Sequence, residues 1–117
     1  MKERGRKMNI EKLIEYIKIR PCMYIGELNF DYLFHFINGF LYNNFSNKKN
    51  DDIDNIFKNE FHEWVQKWIE KNKNIYFDEE RDYHFYIQKI SQTQQQCFDL
   101  FFRLCDLFFH ELHNRMR

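Results

Sequence analysis

Apolar residues recur every three or four positions along most of this chain, and the repeat restarts often enough to mark separate helices. Ile10, Leu13, Ile14 and Ile17 form the first row, behind Asn9, a residue suited to cap a helix N-terminus. Pro21 disfavours helical backbone in the residue before it, so this helix is expected to stop at Arg20. Gly26 permits a turn, and Asn29 or Asp31 can open a second helix with the row Phe30, Leu33, Phe34, Ile37, Phe40, Leu41 and Phe45. Gly39 sits inside that helix at a cost of about 1 kcal/mol relative to alanine, which points to close approach of another backbone.

A polar loop, Ser46 to Asp52, leads to the clearest row: Ile53, Ile56, Phe57, Phe61, Trp64, Val65, Trp68 and Ile69. Its other positions are nearly all polar, as in a helix with one face in water. The stretch IYFDEER that follows Asn74 reads as a loop or as one short strand near 74–78. Tyr83, Tyr86, Ile87 and Ile90 suggest a short fourth helix. Ser91 with Gln94 has capping-box spacing and opens the last helix. That helix carries Phe98, Phe101, Cys105, Phe108 and Leu112, with Leu100, Leu104 and Leu107 beside them and Phe102 and Phe109 flanking. Only Asp99, Arg103, Asp106, His110 and His113 form a polar stripe. So apolar a helix is expected at the centre of a bundle, the alternative being a homodimer surface through 98–112. The pattern predicts an all-α, single-domain bundle of about five helices over 9–117, behind a basic tail, 1–8.

Composition agrees with helices. The 117 residues include 14 Phe, 7 Tyr and 2 Trp but only 3 Gly and 1 Pro, too few turn-makers for an all-β fold. The three cysteines, Cys22, Cys97 and Cys105, form no CxxC pair, so reduced thiols in a cytosolic protein are expected rather than a zinc ribbon or a disulfide framework. No apolar run follows the basic start as a signal peptide requires, and Asp99, Arg103 and Asp106 break the densest apolar stretch, so no membrane span is expected.

Charge is balanced overall but unevenly placed. Residues 1–20 hold seven basic and three acidic side chains, whereas residues 51–82 hold ten acidic and five basic. A nucleic-acid binder shows the opposite bias, a basic excess over its domain, so a basic protein partner fits better. Asp78, Glu79, Glu80 and Asp82 form the densest acidic run, at a connection between elements, and are the candidate partner-binding residues.

The most distinctive stretch is RPCMYIGE, Arg20 to Glu27. RPxMYIG also occurs in the ATPase domains of type II topoisomerases, but their DxGxG turn and glycine-rich lid have no counterpart here, and three glycines cannot build phosphate-cradling loops. Arg20, Pro21, Met23, Tyr24, Ile25 and Gly26, continued by Leu33, Ile37, Gly39 and Phe40, also resemble small single-domain bacterial proteins with the pattern RPxMYIG…L…F/I-x-G-Y/F. The likeness extends to FHEWVQKW and to the Phe- and Leu-rich last helix; Cys22 stands where a glycine is common. Proteins of this look are similar to immunity proteins encoded beside secreted bacterial toxins, which implies a cytoplasmic, non-catalytic inhibitor of a toxin domain. From the residues alone the motif reads as structural. Pro21 ends a helix, Met23 and Ile25 pack inward, Tyr24 is half-buried, Gly26 turns the chain, and Arg20 complements the helix dipole.

Chemistry is otherwise sparse. His110 and His113 are three apart, not the four of a metalloprotease helix, and only Asn114 to Arg117 follow to supply a third ligand. Cys97 with His62 or His84 is a nucleophile pair only if the fold joins them. No cofactor is implied. The expected function is a toxin-neutralising immunity protein; the alternative is a self-associating helical module without catalytic activity.

Overall fold

The computed structural model describes residues 8–46 and 52–116, with the backbone alone for residues 43–46. Six helices are present among them: α1 (Ile10–Ile19), α2 (Pro21–Ile25), α3 (Phe30–Ser46), α4 (Asp52–Lys73), α5 (Tyr83–Ile90) and α6 (Gln94–Arg115). The fold is a single-domain, all-α bundle. Most of the basic tail, the loop at 47–51 and the Phe45 side chain lie outside the described residues.

The helix beyond the expected five is α2, inside RPCMYIG. Pro21 ends α1 as anticipated but also starts α2, occupying its first turn, where a missing N–H costs nothing. Gly26 closes that helix in the left-handed region (φ 88°), its N–H bonded to the Cys22 carbonyl at 2.9 Å. Asn74 ends α4 the same way (φ 58°), a conformation that asparagine tolerates better than most side chains. No strand forms among the described residues, and 74–82 is irregular.

Caps set the remaining boundaries. Asn9 Oδ1 accepts the Lys12 N–H at 2.9 Å, and Asp82 Oδ1 accepts the Phe85 N–H at 2.9 Å. The expected box at Ser91 is displaced by two residues. Thr93 caps α6, its Oγ1 accepting the Gln96 N–H, while Gln96 Oε1 accepts the Gln92 N–H at 2.7 Å. Ser91 instead closes α5. Two hydroxyls competed for one cap, and Thr93 has the glutamine three residues on that reaches back.

One cap comes from far along the chain. Asp54, 1% exposed in the first turn of α4, accepts the Ile10 N–H at 2.7 Å. It meets one of the donors that the start of α1 leaves unsatisfied, and the positive end of that helix favours its charge.

Helix α6 packs against α1, α3, α4 and α5, so it is the central helix. Phe98, Phe101, Phe102, Leu104, Cys105, Phe108, Phe109 and Leu112 are buried there, leaving Leu107 as its exposed large apolar residue. The aromatic load is used in the middle of the bundle. Phe61 has its ring centroid 4.5 Å from Phe57, 5.1 Å from Tyr83 and 5.2 Å from Phe108. Trp64 and Trp68 border this core rather than fill it: the Trp64 indole donates to Glu111 at 2.7 Å, and the Arg103 guanidinium lies 5.9 Å from the Trp68 ring. Gly39 corrects the sequence reading. It is exposed, and a Cβ there would meet nothing within 4 Å, so no other backbone among the described residues approaches it.

Candidate functional site

Two surfaces carry side chains that the core does not explain. The first is the connection from α4 to α5. Phe77 anchors it, its ring 4.7 Å from Tyr86 and 6.2 Å from Phe85. Further along, the Arg81 N–H donates to the Tyr86 hydroxyl at 2.6 Å and the Tyr83 N–H to His62 Nδ1 at 3.0 Å. Between these anchors Asp78, Glu79 and Glu80 stand in water, next to Tyr76, which is 69% exposed. Arg81 folds back, its guanidinium 4.1 Å from the Phe85 ring centroid and 3.7 Å from Glu79. Asp82, the fourth candidate, is half-buried and occupied as the cap of α5. Tyr76 was missed by sequence reading. The available signal was that Ile75, Tyr76 and Phe77, consecutive in an irregular segment, cannot all face inward.

The second surface is the RPCMYIG motif, where the structural reading holds in part. Pro21 and Gly26 set the turn, and Tyr24 and Ile25 pack against the core. Met23 does not pack inward: it is 69% exposed, because successive residues of a helix point about 100° apart and α2 has one inner side. With Tyr16, Ile19, Arg20 and Tyr24, Met23 lines a hollow of about 220 Å³. Tyr24 reaches toward Phe36, ring centroids 6.2 Å apart. The Arg20 guanidinium has no ion-pair partner among the described residues.

A wider hollow of about 370 Å³ lies against α6, bordered by Pro21, Leu28, Phe98 and Phe102. Its charged rim is largely matched within the chain, Lys18 to Asp106 at 2.8 Å and Gln95 to Asp99 at 2.8 Å.

Several histidines and cysteines of the bundle are buried or held by neighbours. Burial lowers the His62 pKa, against the opposing pull of Asp82, and the neutral ring can accept the Tyr83 N–H. Burial pushes the Cys97 and Cys105 thiols up, away from the thiolate a nucleophile needs, at Cys97 against the opposing pull of the nearby Ser91 side chain. His84 lies 2.6 Å from Asp31 and stacks on Phe30. His113 is held by Glu11 at 2.9 Å, and no group of three or more His, Cys, Asp or Glu among the described residues is placed to hold a metal. No described helix is long and apolar enough to cross a membrane.

No family model, curated protein or solved structure matches this chain. Its class follows from architecture: an all-α single-domain protein.

Proposed function

We propose that this chain is a cytosolic immunity protein, a stoichiometric inhibitor that covers a toxin domain with a basic face, such as a nuclease. The observation that carries the reading is the α4–α5 connection, where three exposed carboxylates and an exposed tyrosine sit on a segment fastened at both ends. The resemblance of RPCMYIG to immunity proteins supports the same reading. A fixed acidic patch speeds encounter with a basic partner by roughly 10- to 1,000-fold at low salt. Tyr76 supplies rigid apolar area of the kind that dominates binding hot spots. Because Phe77, Tyr86 and Asp82 hold the segment before binding, little ordering entropy opposes the complex.

The test is co-expression with the product of the neighbouring gene. A one-to-one complex is expected to co-purify. Replacing Asp78, Glu79 and Glu80 together by lysine is expected to slow association about tenfold or more at low salt, a difference that shrinks once the Debye length falls below about 10 Å, near 0.1 M. An unchanged rate at low salt would place the interface elsewhere. A stable homodimer with no toxin partner would favour the self-associating module. Phe108 is too buried to probe such a dimer; Leu107 is the exposed large apolar residue on α6.

A further inference from the structure

The acidic connection leaves the RPCMYIG face unexplained. Helix α1 buries Ile10, Leu13, Ile14 and Ile17 on its inner side, and that row suffices to hold it. Yet its outer side carries Tyr16 and Ile19, and the stripe continues across Pro21 to Met23, at spacings of three and four. Ile19 at 72% is the most exposed large apolar residue among those described, and Met23 at 69% is close behind. Polar residues at these positions would serve the fold equally well. Tyr, Met and Arg are the types enriched where proteins meet, and here they surround a hollow with room for one large side chain.

We infer that this hollow is a docking site for a segment of another protein that carries a large apolar side chain beside a carboxylate. The apolar group fills the space between Tyr16, Ile19 and Met23, and the carboxylate pairs with Arg20, which has no ion-pair partner of its own among the described residues. A second copy of this chain is the poorer occupant. Arg20 is part of the hollow itself, and in a two-fold contact centred there it would face its own copy, setting like charges together. An acidic partner group removes that conflict.

The probe is a phage-displayed library of random peptides, selected on the wild-type protein. Peptides with a large apolar residue within four positions of Asp or Glu are expected to be enriched. Met23→Lys is expected to weaken a selected peptide at least tenfold in fluorescence polarisation, and Arg20→Glu to shift selection toward Lys and Arg. Both side chains are exposed, so both variants are expected to melt as the wild type does. The inference is overturned if no such consensus emerges, if the peptide binds Met23→Lys equally well, or if either variant melts markedly lower. It is also overturned if the wild type sediments as a dimer that Ile19→Lys separates, since the occupant would then be a second copy. No toxin enters this screen, so its failure leaves the acidic surface standing, and failed co-purification leaves this docking site standing.

Discussion

Phe61→Ala will cost the fold about 3–5 kcal/mol, the range for truncating a fully buried phenylalanine. Phe61 is 0% exposed and lies where α4, α5 and α6 meet, within 6.1 Å of Phe57, Trp64, Tyr83, Phe101 and Phe108 by ring centroid. Five neighbouring rings are stiff, so the space left behind cannot close easily and the cavity contribution adds to the lost transfer energy. Domains of this size hold about 5–15 kcal/mol in total, so the variant will be close to unfolding at room temperature. Urea denaturation reads the loss as a lowered midpoint with an unchanged slope. A loss under about 1.5 kcal/mol would mean that the rings repack freely and that the centre of the bundle is not where it has been placed. The neighbouring Tyr83→Phe provides a contrast of opposite sign. The Tyr83 hydroxyl is buried without a hydrogen-bond partner among the described residues, so removing it will leave stability unchanged or raise it by about 1 kcal/mol.

Asp54→Ala will cost about 2–3 kcal/mol, more than any other single polar substitution in this molecule. A buried carboxylate that accepts a backbone N–H makes one of the stronger kinds of hydrogen bond, and its removal strands the Ile10 donor out of reach of water. Asp54→Asn keeps an acceptor and will lose less. Because the bond joins the start of α4 to the start of α1, the alanine variant will also raise amide exchange through the first turn of α1 before the rest of the bundle opens. A loss below about 0.5 kcal/mol would show that water, not Asp54, satisfies that end of the helix.

Asp54 also marks where sequence reading stops. Periodicity finds the elements, because each helix must present a stripe to a common core: the rows through Ile10 and Phe98 are buried throughout, while those through Phe57 and Tyr83 are buried along their centre and border the core at Ile53, Ile56, Trp64, Trp68 and Ile90. The local cap at Asn9 is equally visible, its partner lying three residues on, whereas Asp82, which caps α5 with the same spacing, was read as one more acid of the partner-binding run. A carboxylate that caps a helix 44 residues away has no local signature, and in the sequence it looks like one more acid in the first turn of α4. The short helix α2 was hidden for a different reason. Proline ends one helix and begins another with equal ease, and only the tertiary turn at Gly26 decides between them. Gly39 shows the converse error, a glycine with no steric reason to be one.

The candidate surfaces divide in the same way. Asp78, Glu79 and Glu80 were legible because a charge run in an irregular segment has nowhere to go but water. The outward stripe of Tyr16, Ile19 and Met23 was not, because the row that defines α1 passes over Tyr16 and Ile19, and Met23 was read as packing inward.

Native-state hydrogen exchange at Arg81 tests most directly whether the acidic connection is a platform fixed on the bundle. The account predicts that the Arg81 amide, bonded to the Tyr86 hydroxyl, is protected together with those of Tyr83 and Phe85, while Glu79 and Glu80 exchange freely. Exchange of Arg81 at the rate of an unstructured peptide would contradict it, since the carboxylates would then hang on a loose strap with no fixed face to offer a partner.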